Sequence, residues 1–145
     1  MKIIEAHAGI LTNYEVLDLL KSRGATSDPL GSLGAVTSSE SKVFDYLVHT
    51  AACSQTREAV KEFWERSDEF ELAKAEKLSV INTRPSSEAE IYPIIENCEQ
   101  RLEGKLEELV SLVVEILPPP PVKPADEQAD EMPPEETEGG DKVAE

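Results

Sequence analysis

The sequence predicts an all-α protein: a helical bundle behind a short N-terminal arm, followed by a disordered acidic tail. Three observations carry that prediction. Between residues 13 and 117 apolar side chains recur every three or four positions. Thr12-Asn13-Tyr14-Glu15 and Ser87-Glu88-Ala89-Glu90 are capping boxes, which mark helix starts. Pro118-Pro119-Pro120-Pro121 ends the pattern, because each proline removes a donor and clashes with the preceding turn. The chain therefore divides into an arm (1–23), a flexible linker (24–37), a helical domain (38–117) and a tail (118–145).

Each element follows from its residues. Thr12 and Glu15 open a helix over about residues 13–22, with Val16, Leu17, Leu19 and Leu20 as its apolar residues and Gly24 as its stop. Residues 24–37 are rich in Gly, Ser, Thr, Asp and Pro, the composition of a linker. Ser38 or Ser39 caps the next helix, which carries Val43, Phe44, Tyr46, Leu47 and Ala51. Thr56 opens another, with Ala59, Val60, Phe63 and Trp64 opposite a charged face. A short helix over 74–82 presents Ala75, Leu78 and Ile81, and Arg84-Pro85 ends it. A fourth restarts at Ser87 with Ile91, Ile94, Ile95 and Cys98 inward, although Pro93 falls in its second turn. The last runs from about 104 to 117. Its seam of Leu102, Leu106, Leu109, Val113 and Ile116 is widened by Val110, Leu112, Val114 and Leu117. That makes about five helices in the domain. Ala8-Gly9-Ile10-Leu11 is the single candidate for an edge strand added to a partner.

Charge and composition exclude several functions. Acidic residues outnumber basic ones 30 to 14, a net charge of −16. Such a chain repels a phosphate backbone on average, and duplex binding draws most of its affinity from cations. Residues 118–145 hold nine acidic and two basic residues, seven prolines and no aromatic, the signature of disorder. Two cysteines cannot build a disulfide scaffold. No apolar run approaches the ~18 residues of a membrane span, and Glu5 and His7 interrupt any leader. The expectation is an intracellular, soluble protein.

Candidate chemistry is sparse. His49 and Cys53 are four apart, but a zinc site needs four ligands and Cys98 is distant. The same pair lacks a third group to orient a base. The carboxylates read as a solvated face, and no phosphate-binding loop or dinucleotide fingerprint occurs. No catalytic residue, cofactor or metal is expected. Lys74, Lys77 and Arg84 form a small basic cluster without an aromatic for base stacking, sufficient for weak RNA contact at most. Protein–protein interaction remains. Tyr14, Val16, Leu17 and Leu20 leave an apolar patch exposed unless something covers it. Another chain is the simplest cover, and the protein's own bundle is the alternative.

Leu11-Thr12-Asn13-Tyr14-Glu15-Val16 resembles the opening motif of the small stalk subunits of RNA polymerase III, also called the calcitonin gene-related peptide receptor component protein family. Leu72-Ala73-Lys74-Ala75-Glu76-Lys77-Leu78, then Asn82-Thr83-Arg84-Pro85 and Glu90-Ile91, are similar to that family's helix–turn–helix signature. Ile116-Leu117-Pro118 before an acidic tail matches as well, so the resemblance spans about residues 8–118. It implies an HRDC-like helical domain and a non-catalytic heterodimer with the larger, OB-fold-bearing stalk subunit. It also implies a place on the polymerase core, contact with initiation factors at genes for transfer RNA, 5S ribosomal RNA and other small RNAs, and a nuclear location, with the cytoplasm as a second compartment. Carried over by position, Leu11, Asn13, Tyr14, Glu15, Val16, Leu17 and Leu20 fall in the partner-binding arm. Lys74, Glu76, Lys77, Asn82, Arg84 and Pro85 fall in the helical domain, Arg84 and Pro85 shaping the turn and Glu76 and Lys77 at its polar surface. Homologous stalk subunits of other polymerases share this architecture. A cytoplasmic adaptor coupling a membrane receptor to signalling, and an HRDC-type nucleic-acid binder, are the alternative readings.

Overall fold

The computed structural model describes residues 2–28 and 36–121. The central part of the expected linker, 29–35, and the expected disordered tail from 122 onward lie outside the described residues. Among the described residues there are seven α-helices and no strand: α1 (Asn13–Ser22), α2 (Ser38–Leu47), α3 (Arg57–Arg66), α4 (Lys74–Thr83), α5 (Glu88–Ile91), α6 (Cys98–Leu102) and α7 (Leu106–Ile116). Two 3₁₀ turns, Ala51–Cys53 and Ser67–Phe70, join them. The all-α class holds. Residues 8–11 form no strand.

Local chemistry starts the first three helices. In α1 the Glu15 amide donates to Thr12 Oγ1 (3.2 Å) and the Thr12 amide donates back to the Glu15 carboxylate (2.8 Å), a complete capping box. The cap of α2 is Thr37, one residue before the expected serines, because Glu40 stands three residues after Thr37 and closes the same box. Glu40 also takes Arg23 from the end of α1 at 2.6 Å, so α1 and α2 are tied at adjacent ends. The Thr56 hydroxyl accepts from the Ala59 amide at the start of α3.

Further along, proline and left-handed residues break what periodicity suggested was continuous. The helix expected from Ser87 through Cys98 is two short ones, because Pro93 has no amide to give Ala89 and the chain turns instead. Glu90 reaches the Ser86 amide (2.6 Å) and not that of Ser87, so the second capping box does not form as expected. Leu102 belongs to α6 and not to α7. Glu103 (φ 43°) and Gly104 (φ 87°) reverse the chain between them, a path that favours glycine. The domain after the linker therefore holds six α-helices, not five.

Buried side chains form two clusters. Leu17, Leu20, Ala25, Phe44, Leu47 and Ala52 make one, from α1, the segment just after it, α2 and the first 3₁₀ turn. The other runs from Phe63 to Leu117, with α3, α5 and α6 packed on α7 around Leu109 and Val113. Val114, expected to widen the apolar face of α7, points outward and is exposed.

Two expectations about faces are corrected here. Leu17 is 1% exposed and Leu20 is buried, because Phe44, Leu47 and Ala52 of the same chain cover that face of α1. On α4 the inward side is Lys77, Val80 and Ile81, while Ala75 is exposed and Leu78 half-buried. The helix is turned because Lys77 finds partners inside, as described next.

Candidate functional site

The two sequence motifs, around 11–16 and 72–85, meet in space. Asn13 is the first residue of α1, so its amide has no intrahelical acceptor. It donates to Asn82 Oδ1 at 2.9 Å, across 69 residues of sequence. At the end of α4, Arg84 takes a left-handed conformation (φ 48°) and its Nε donates to the Leu117 carbonyl at the end of α7 (2.9 Å). Pro85 is fully buried behind it. The Asn82–Pro85 turn thus touches the start of α1 and the end of α7.

Lys77 was expected at the polar surface and is 4% exposed. Its stem packs inward. Its ammonium donates to the Trp64 carbonyl (3.2 Å), lies 5.3 Å from the Trp64 ring centroid and pairs with Asp68. The Trp64 carbonyl belongs to the last turn of α3, where it also accepts from the Ser67 hydroxyl (3.1 Å) and where the helix dipole favours a cation. Asp68 stays largely in water, so the charge is not sealed in.

Glu76 is half-buried instead of sitting at the surface. It accepts two bonds from Arg101 (2.5 and 3.0 Å) and one from the Ala73 amide (2.8 Å), the reach-back half of a capping box whose alanine offers no oxygen in return. The Arg101 guanidinium holds its carboxyl below the usual range, against the opposing pull of partial burial. Arg101 also donates to the Glu71 and Glu96 carbonyls, stapling α6 to the start of α4.

With Lys77 buried and Arg84 engaged by Leu117, the expected basic cluster is reduced to exposed Lys74. No three His, Cys, Asp or Glu side chains lie together among the described residues in a way that holds a metal ion. His49 and Cys53 are both exposed, while Cys98 is buried, which raises its thiol pKa. No described helix is long and apolar enough to cross a membrane.

Uncovered apolar surface lies just before α1. Ile3, Ile4, Ile10 and Leu11 are 75%, 97%, 64% and 54% exposed. Beside them a groove of roughly 510 Å3 opens between the arm and helices α3 and α4. Ile10, Tyr14, Val60, Trp64 and Leu78 form its apolar lining, and Glu15, Glu65, Arg57 and Lys61 its charged rim. Of the arm residues expected to bind a partner, Leu11 and Tyr14 face this region. Glu15 closes the Thr12 cap of α1, the Asn13 amide bonds Asn82, Leu17 and Leu20 belong to the smaller core, and Val16 and Tyr14 pack against it. Ile3, Ile4 and the groove residues on α3 were missed. One signal was available: Phe63, Val60 and Trp64 give α3 an apolar face wider than a single neighbour covers.

Comparison with known proteins gives the chain a family. Residues 10–117 match the family model described as RNA polymerase Rpb4. The chain is similar to "DNA-directed RNA polymerase III subunit rpc9" of Dictyostelium discoideum, 34% identical over 112 residues, which span 72% of this chain and 83% of that protein. It is similar also to the protein of the same name from Schizosaccharomyces pombe, 33% identical over 126 residues, 80% of this chain and 96% of the other. A shorter match to "DNA-directed RNA polymerase III subunit RPC9" of Saccharomyces cerevisiae is 33% identical over 57 residues, 39% of this chain and 35% of that one. The matched span takes in the arm motif, the α4 turn and the end of α7, which the fold brings into contact, and the chain belongs to the RNA polymerase Rpb4 family.

Proposed function

We propose that this chain is the small, non-catalytic stalk subunit of RNA polymerase III. It pairs with the larger OB-fold stalk subunit and, through that pair, supports initiation at genes for transfer RNA, 5S ribosomal RNA and other small RNAs in the nucleus. The polymerase III assignment is supported by the two relatives that match most of the chain, both named as subunits of that enzyme. One observation carries the pairing: Ile3, Ile4, Ile10 and Leu11 stand uncovered in front of α1, beside an apolar groove. Four large aliphatic side chains in one ten-residue stretch are an interaction surface. In this reading the partner engages residues 3–14 and the groove floor on α3 and α4. The buried face of α1 supports the arm and does not touch the partner. Residues 38–117 serve as the HRDC-like domain, and the tail beyond Pro118 is dispensable for pairing.

Co-expression with the larger subunit tests this. Ile10→Asp with Leu11→Asp lowers recovery of the larger subunit at least tenfold, whereas Val114→Asp, on the exposed side of α7, leaves it unchanged. Wild-type recovery by the double variant sinks the interface. Mass spectrometry of the wild-type complex decides the enzyme: core subunits of a different polymerase overturn the polymerase III assignment and leave the stalk role standing.

A further inference from the structure

We infer that the last turn of α4 is a releasable clasp between two halves of the molecule, with Gln55 and Asn82 as its positioning residues. The inference deepens the proposed function and rests on it for the use of the groove, but not for the clasp itself.

The buried side chains divide at residues 54–56. On one side lies the cluster of α1, α2 and the first 3₁₀ turn; on the other lies the cluster of α3 to α7. Apart from the cap that Thr56 gives to α3, two hydrogen bonds among the described residues reach from the first half and the junction into the second, and both end on adjacent residues of one turn. Gln55 Nε2 donates to the Ile81 carbonyl at 2.7 Å, and Asn82 Oδ1 accepts from the Asn13 amide at 2.9 Å.

Each bond satisfies a helix end that its own helix leaves open. The Ile81 carbonyl would accept from the amide four residues on, but that residue is Pro85, which has none. Gln55 supplies the missing donor. The Asn13 amide opens α1 and has no acceptor above it, and Asn82 supplies one. Donation to Ile81 fixes which way the Gln55 amide points and leaves Gln55 Oε1 buried without a hydrogen-bond partner among the described residues. Opening returns that oxygen to water, which offsets part of the cost of breaking the bonds.

The clasp sits where it controls the groove. Thr12 and Tyr14, on the arm side of the groove, flank Asn13, and Leu78, on the opposite side, precedes Asn82 by one helical turn. The Asn13–Asn82 bond therefore closes one end of the groove and sets its width. Trp64, the chain's single tryptophan, lines the same groove and reports on its opening.

The test uses the free full-length chain, so it does not depend on any partner. Acrylamide quenching of Trp64 is measured in the wild type, Asn82→Ala, Gln55→Ala, the double variant and Asn82→Asp, with helix content by circular dichroism and amide exchange of α7 alongside. Asn82→Ala and Gln55→Ala each raise the quenching constant about twofold with helix content and α7 protection unchanged. The double variant adds little, because one broken bond already opens the turn. Asn82→Asp keeps an acceptor and behaves as the wild type. Unchanged quenching in a folded Asn82→Ala overturns the clasp. So does a variant that fails to fold or loses α7 protection, since the turn is then part of one cooperative core. Pairing with the larger subunit is assayed separately, on Ile10→Asp with Leu11→Asp. Lost pairing by Ile10→Asp with Leu11→Asp alongside normal quenching changes supports both readings, and normal pairing by that variant refutes the interface without touching the clasp.

Discussion

The two buried clusters differ in size and in how they are built. The smaller draws five described residues from α1, α2 and one 3₁₀ turn, with Ala25 just after α1 as a sixth, and its helices are tied at their ends by Arg23 and Glu40. The larger gathers fourteen, with Phe63, Ile91, Leu109 and Val113 excluded from water and α7 packed against three other helices. Burial of apolar area is the main favourable term in folding, so most of the stability lies in the larger cluster. The smaller one holds the arm in place with little in reserve.

Substitutions at four positions break or sharpen that contrast, in descending order of effect. Phe63→Ala removes a fully buried ring at the centre of the larger cluster and costs about 4 kcal/mol, unfolding the whole chain in urea. Leu17→Ala costs about 2.5 kcal/mol, but its effect is local. Hydrogen exchange speeds up in α1 and α2 while α7 keeps its protection. Equal loss in both halves would erase the contrast. Lys77→Ala costs about 2 kcal/mol through the lost stem and the lost contacts to Trp64 and Asp68. Lys77→Met restores the stem and recovers about half of that loss, as read by chemical denaturation.

Glu76→Gln is the smallest, about 1 kcal/mol at pH 7. The figure stays within the range for exposed pairs because Arg101 remains partly in water, and near its top because the Glu76 side chain is largely covered. Its pH dependence has a definite sign. Arg101 lowers the Glu76 pKa in the folded state, so the stabilisation is fully present above the ordinary carboxylate value and is lost as pH falls through the lowered one. Wild type and Glu76→Gln therefore differ at neutral pH and converge in acid. A gap that persists at pH 2 assigns the effect to packing and not to charge.

Much of this was readable along the chain. The Thr12 and Thr56 caps, the bounds of α1 and the stop before Pro85 depend on groups within about four residues of one another, and those were anticipated correctly. The misreadings came where a signal was incomplete or came from afar. Ser38 and Ser39 match a helix cap by residue type, but only Thr37 has a glutamate, Glu40, three residues on to close the box. Pro93 breaks the helix that the spacing of Ile91, Ile94, Ile95 and Cys98 suggests. The exposed Ile3, Ile4 and Ile10 belong to no periodic pattern, so the apolar stripe of α1 is the stronger signal along the chain.

The sequence by itself determined that the chain is helical, where most helices begin, and which family its motifs resemble. Those properties rest on backbone capping, proline geometry and residue order, all local to a turn or two. Only the tertiary structure decided whose side chains cover Leu17, that Lys77 lies inside against Trp64, and that Asn82 holds the start of α1. An apolar stripe specifies that it must be buried but not what buries it. A lysine or an asparagine likewise carries its donors and acceptors without naming partners 13 or 69 residues away.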